Sequence, residues 1–264
     1  MGNRLTTTPV RDLDDIRRYF DQAHAYKEQH GDEARLLEYR ISIIRAYARI
    51  QPSDSVLEIG CGDGRHLLAL AADFDRGHGV DLSPAMIGAA CGRRDGSPWR
   101  AKVSFHTDDA ERLASVGDAV FDAVLCVGAL EHMFDRAAAC RSVFRVLRPG
   151  GRFVCLTPNG RSIFYRILAP LFRVETRRLS TDHYFGRSEV ERLLRAAGFR
   201  ELRFGSWTFI QRGDMPPFLA AGLEILDRVG TTTRMGALRG GLVVRAVKVE
   251  PTIGAKIPCP HLSG

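Results

Sequence analysis

The segment Val56-Leu57-Glu58-Ile59-Gly60-Cys61-Gly62-Asp63-Gly64-Arg65 constrains the fold more than any other part of the 264-residue chain. An apolar run with the length of a buried strand passes directly into three alternating glycines and then into a helical pattern. Glycines there permit positive φ and let a ligand approach the backbone without a Cβ in the way. The start of the following helix adds backbone N–H groups that lack intrahelical partners and favour a carboxylate or phosphate. About twenty residues on, Asp81 closes the next apolar run, where a dinucleotide fold places a ribose-binding carboxylate.

The glycine spacing sorts the candidate ligands. A nicotinamide-dinucleotide loop reads G-x-G-x-x-G, but Arg65 stands where its third glycine belongs. A Walker loop is excluded because no Gly-Lys-Ser/Thr follows. Glu58 beside the loop would repel a pyrophosphate, yet it suits a ligand carrying an ammonium group. A tight turn with no ligand accounts for one glycine, and poorly for three together with two placed acids.

After Pro52 the chain alternates short apolar runs with helical segments, the pattern of a mostly parallel α/β sheet covered on both faces. Strands are predicted at Ser55–Ile59, 77–81, Val103–Thr107, Phe121–Val127, 152–157, 199–206 and 242–249. Helices are predicted at 63–72, 84–91, 136–147 and 188–197, with a further one near 218–229. Residues 148–151 (RPGG) read as the turn that closes the 136–147 helix. Upstream, apolar residues at helical spacing between 12 and 50 form two helices broken at Gly31-Asp32. Residues 1–50 are thus an N-terminal helical extension or cap, and 51–250 a single domain with lid-like insertions near 158–186 and 207–235. Residues 251–264 form a disordered tail.

Composition narrows the setting. With 45% apolar and 26% charged residues, the chain is globular, neither collagenous nor of low complexity. Lys+Arg 38 against Asp+Glu 31 gives +7, which permits contact with phosphates or anionic lipid without demonstrating it. The six cysteines include no C-x-x-C pair, and Cys126 and Cys155 lie in apolar runs, so they read as buried thiols in a reducing compartment. The polar start and the lack of any run of ~18 apolar residues predict a cytoplasmic protein.

The segments VLEIGCGDG, GVDLSPAMI, DDAERL, FDAVLCVGALEHM, LRPGG and AAGF, in this order, resemble a class I S-adenosylmethionine-dependent methyltransferase. The resemblance covers about residues 52 to 206 and, more weakly, the last strand. It implies a Rossmann-like seven-stranded sheet of order 3-2-1-4-5-7-6 with one antiparallel strand, and S-adenosylmethionine as cofactor. It further implies that Glu58, Gly60, Cys61 and Gly62 shape the pocket for the methionine part of that cofactor. Asp81 would take the ribose hydroxyls, Leu82 would pack on the adenine, and Asp109 with the Ala110 backbone would receive the adenine amino group. Val127 would lie beside the methionine moiety. Asp108 is an alternative to Asp109, and Asp109 could instead cap the turn that follows it. The cofactor's ammonium, vicinal hydroxyls and exocyclic amine are donors that require acceptors, which agrees with this map.

Methyl transfer from a sulfonium needs alignment, and a base only where the acceptor must lose a proton. His132 is the leading base candidate because imidazole titrates near working pH; its alternative role is to position the loop. His183, in the insertion before the 188–197 helix, is a second base or substrate-orienting candidate, or else a residue at the helix start that bonds a nearby carbonyl. Related quinone-type O-methyltransferases carry a glutamate where this chain has Gly128, and there the set binds a divalent metal; no metal is predicted here. Residues 161–173 place Ile163, Phe164, Ile167, Leu168, Leu171 and Phe172 on one helical face, flanked by arginines. That face forms a lid on the core, covers an apolar acceptor, or rests on a membrane surface while the site takes a lipid-like acceptor. The acceptor is predicted to be a small molecule, most simply a hydroxyl of an apolar, natural-product-like compound. Nucleic acid is the alternative suggested by charge, but no Asn/Asp-Pro-Pro-Tyr/Phe element follows the 121–127 strand.

Overall fold

The computed structural model describes residues 7–22, 33–171, 173, 176–207 and 235–249, with a few positions between 222 and 233. The helix predicted near 218–229, most of the second insertion, the tail and Cys259 lie outside the described residues or largely so. Seven strands form one sheet: β1 (Ser55–Ile59), β2 (Arg76–Asp81), β3 (Val103–Thr107), β4 (Phe121–Val127), β5 (Leu147–Pro158), β6 (Glu201–Trp207) and β7 (Gly241–Val247). Their order is β3-β2-β1-β4-β5-β7-β6. β1 through β5 pair in parallel, and β7 runs antiparallel to both β5 and β6. This is the order implied by the resemblance.

The helices are α1 (Leu13–Asp21), α2 (Glu33–Ala48), α3 (Arg65–Ala69), α4 (Pro84–Asp95), α5 (Arg136–Val146), α6 (Ala169–Leu171) and α7 (Arg187–Ala196). They cover both faces because the parallel strands are apolar on both sides. Along β4, Val124 and Cys126 join the core under α5 and α7, whereas Ala123, Leu125 and Val127 join the core under α2, α3 and α4. Period-two alternation in one strand therefore feeds two separate hydrophobic layers.

Helix starts follow their capping residues. Asp12 accepts from the Asp15 N–H, Asp135 from Ala138, and Ser83 from Met86 with Pro84 in the first turn. Two stretches depart from the sequence reading. Residues 148–151, read as a turn, belong to β5: Phe121 pairs with Leu147 but Ala123 pairs with Arg152, so the segment between bulges out of register. Residues 161–173 do not form one regular amphipathic helix. A π-helical turn, Phe164–Leu168, runs into α6, with the Ala169 N–H donating to the Phe164 carbonyl five residues back. The wider turn breaks the predicted apolar face: Phe164 and Ala169 are buried, but Ile167 and Leu171 are 55% and 68% exposed.

Candidate functional site

The sheet order reverses between β1 and β4, and the carboxyl ends of strands flanking such a switch point open a crevice. A cavity of about 260 Å³ lies there. Its floor is the β1–α3 loop, with Gly60, Cys61 and Gly62. One side carries Asp81 and Leu82 from the end of β2, then Asp108, Asp109 and Ala110 after β3. Val127, Gly128, Ala129 and His132 come from the end of β4, and α1 closes the top with Leu13, Ile16 and Phe20.

Gly60 has φ +62°, and a Cβ placed on it would fall 2.4 Å from the Cβ of Ala129. The tightest approach at this glycine is thus by the loop after β4. Gly62, φ +53°, has nothing within 4 Å of a virtual Cβ, and its N–H donates to Asp81 Oδ2 at 2.8 Å. Asp81 Oδ1 accepts from the Ser83 N–H at 2.9 Å. Burial raises the Asp81 pKa against the opposing pull of those two backbone donors. A carboxylate has about four acceptor positions, so Asp81 is fixed in orientation and retains capacity for a vicinal diol.

The two neighbouring acids after β3 separate by use. Asp108 Oδ1 accepts from the Asp109 N–H at 2.7 Å, and its Oδ2 takes both the N–H and the hydroxyl of Ser115. Asp109 Oδ1 accepts from the Glu111 N–H at 2.8 Å, as a capping residue does, while its Oδ2 lies 4.0 Å from Arg112. Asp108 is consumed by local structure, and Asp109 combines a cap with one oxygen available to a donor.

Glu58 is placed differently from the position expected for it. It is fully buried behind the cavity wall and does not line it. Its Oε1 meets His66 Nδ1 at 2.9 Å, and it is His66, on α3, that lines the cavity. Asp63, also in the wall, is held by Arg65 and Arg93 at 2.8 Å each. Although burial opposes its ionisation, the two guanidiniums bring its pKa down to about 2.

At the opposite end, His132 Nδ1 lies 2.7 Å from Asp182 Oδ1. Asp182 Oδ2 accepts from the N–H groups of Arg178 and Leu179, so the carboxylate is fixed on three sides. Burial disfavours the imidazolium, but the Asp182 carboxylate outweighs it and the His132 pKa is raised. Glu131 is buried in the cavity wall: its Oε2 accepts from the Thr157 hydroxyl at 3.0 Å, and burial raises its pKa. The Phe20 ring lies 5.5 Å from His132, edge-on. Asp182 and Tyr184, with Thr176 and Arg178, make the part of the 158–186 insertion that walls the cavity.

His183 is not among the residues lining the cavity. Its Nε2 pairs with Glu189 Oε1 at 2.7 Å near the start of α7, and its N–H donates to the Glu131 carbonyl. In the Asp182-His183 pair it is thus the aspartate that lines the cavity. Among the described residues, no group of three His, Cys, Asp or Glu side chains is placed to hold a metal ion, and no helix is long and apolar enough to cross a membrane. The five described cysteines are thiols, with Cys61 pushed well up by burial and then by the nearby Asp81 and Glu58 charges.

Residues 57–155 match a family described as a methyltransferase domain. A demethylmenaquinone methyltransferase of Symbiobacterium thermophilum is 28% identical over 182 residues, 59% of this chain and 72% of that protein. A ubiquinone biosynthesis O-methyltransferase of Aromatoleum aromaticum is 32% identical over 148 residues, 54% of this chain and 62% of that protein. In fold, a geranyl diphosphate C-methyltransferase from Streptomyces coelicolor, solved with S-adenosyl-L-homocysteine, superposes with a TM-score of 0.65 at 16% identity, covering 91% of this chain and 100% of the other. The acceptors in the cavity fit S-adenosylmethionine: Asp81 and Asp109 keep unused acceptor positions, and His66 Nε2 lacks a hydrogen-bond partner among the described residues. Residues 57–155 therefore belong to a methyltransferase domain, and the chain has the sheet order expected of class I S-adenosylmethionine-dependent methyltransferases.

Proposed function

We propose that the chain methylates an ionisable hydroxyl of a small, largely apolar molecule held between α1 and the His132–Asp182 pair. The observation that carries this reading is that pair, set in a wall that brings Leu13, Ile16, Phe20 and Met133 together with Thr176, Arg178 and Tyr184. The cofactor supplies an activated methyl group on sulfur. Asp182 accepts the Nδ1–H of His132, which leaves Nε2 as the basic nitrogen. That nitrogen takes the hydroxyl proton as the oxygen attacks, and the apolar side chains of that wall exclude water and align the molecule that bears it. The relative named a ubiquinone biosynthesis O-methyltransferase supports oxygen as the acceptor, and the one named for demethylmenaquinone supports a quinone-type molecule.

The test is transfer of labelled methyl to pools of hydroquinones, RNA and protein, using the wild type and His132→Ala. The reading expects label in the hydroquinone pool and a loss of roughly 10²–10⁴ in turnover for the variant, with affinity for S-adenosylhomocysteine retained. Label in RNA or protein alone, or unimpaired turnover in the variant, contradicts it. Membrane contact at 161–173 belongs to the same proposal, because Ile167 and Leu171 are exposed among the exposed Arg161, Arg166 and Arg173. Salt-sensitive co-sedimentation with anionic vesicles supports that contact, and no binding at any salt removes it.

A further inference from the structure

Two acids sit beside the β1–α3 loop, Asp63 in the cavity wall and Glu58 behind it, and they differ in what neutralises them. Asp63 is matched by two guanidiniums, from Arg65 and Arg93. Glu58 is fully buried, and among the described residues its side chain has one hydrogen-bond partner, His66 Nδ1 at 2.9 Å. His66 is itself only 6% exposed, yet it lines the cavity. The far atoms of both side chains, Glu58 Oε2 and His66 Nε2, are buried without a hydrogen-bond partner among the described residues. Buried polar atoms of this kind are rare, and the one on His66, whose side chain lines the cavity, calls for a donor from the ligand.

We propose that His66 is the residue that receives the cofactor's α-ammonium group, with Glu58 acting through it as a positioning residue. The Glu58 carboxylate can only accept, so it takes the Nδ1–H of a neutral His66 and fixes that tautomer. Nε2 then carries a lone pair, an acceptor for an ammonium N–H. The carboxylate behind the ring supplies the negative charge that a cation in this position needs, at the distance of one imidazole. Asp63 is already ion-paired and cannot serve in its place. The inference rests on S-adenosylmethionine occupying this cavity, and it names a contact that the glycine-loop motif does not contain.

The experiment uses two ligands that share a thioether nucleoside: S-adenosylhomocysteine, which carries the amino-acid end, and 5′-methylthioadenosine, which lacks it. Calorimetric titration of the full chain and of His66→Leu is expected to show a loss of about tenfold or more for the first ligand and little change for the second. His66→Gln, whose side-chain carbonyl can accept at similar reach, is expected to recover part of the loss. Nitrogen NMR of the wild type, which needs no variant to fold, is expected to show the Nδ1–H tautomer of His66. Its Nε2 resonance should move with S-adenosylhomocysteine and not with methylthioadenosine. Equal weakening of both ligands in a folded His66→Leu, or an Nε2 that carries the proton, overturns the proposal. If neither ligand binds the wild type, the cofactor assignment falls with it, so the two failures are distinguishable.

Discussion

His132 is subject to two opposing influences, burial that disfavours its charge and the Asp182 carboxylate that favours it, and the second prevails. A histidine whose folded pKa is raised contributes stability that is complete below its unfolded value and is lost as pH rises through the folded one. Asp182 is the converse: burial opposes ionisation, His132 outweighs it, and its lowered pKa makes its contribution disappear as pH falls through the folded value. NMR titration is therefore expected to place the His132 midpoint above about 6.5, and lower in Asp182→Asn than in the wild type. A base must be neutral to act, so turnover should climb with pH through the raised midpoint. Of these residues, Asp81 stood out in the sequence by its distance from the glycine loop, whereas Asp109 came only through the resemblance, with Asp108 as its alternative. Asp182 was not legible, since its partner lies 50 positions away and only the fold brings them together. Its neighbour His183 carried the more suggestive side chain, and that side chain pairs with Glu189 instead.

At the scale of elements, α1 is tied to α4 at its C-terminal end. Asp21 Oδ1, at its C-terminal end, accepts from the Ser83 hydroxyl at 2.6 Å and from the Ala85 N–H at 3.3 Å, tying α1 to the start of α4. Thr8 and Leu179 form an isolated bridge upstream. Asp21→Ala removes the bonds to α4, each involving a charged acceptor, and should weaken α1 docking by about 1–3 kcal/mol. Hydrogen exchange is expected to rise over 13–21 while β1, β4 and β5 stay protected; unchanged exchange over α1 would show that apolar contacts alone hold it. The strands were legible from apolar runs and period-two alternation, and α1 from its 3.6-residue spacing. The π-helical turn was not, because its hydrogen bonds five residues apart leave no distinct mark in the apolar pattern of 161–173.

For the whole molecule, the sheet order was legible through the resemblance, as periodicity alone predicts strands and crossovers without saying which strands are neighbours. Two cores hold that sheet. In one, Phe153 of β5 is 1% exposed and its ring stacks 5.9 Å from Phe199, which meets Phe144 of α5 at 5.1 Å. Phe153→Ala should lower the urea-unfolding free energy by about 3–5 kcal/mol; a loss below about 1 kcal/mol would mean that this layer does not bear on stability as described. The central claim is that one cavity at the β1–β4 switch point holds S-adenosylmethionine through acidic acceptors. Isothermal titration of the folded chain with S-adenosylhomocysteine tests it most directly. One binding site per chain, strongly weakened in Asp81→Ala and not occupied by NADH, is the result predicted. No heat with S-adenosylhomocysteine, alongside tight binding of NADH, would contradict it.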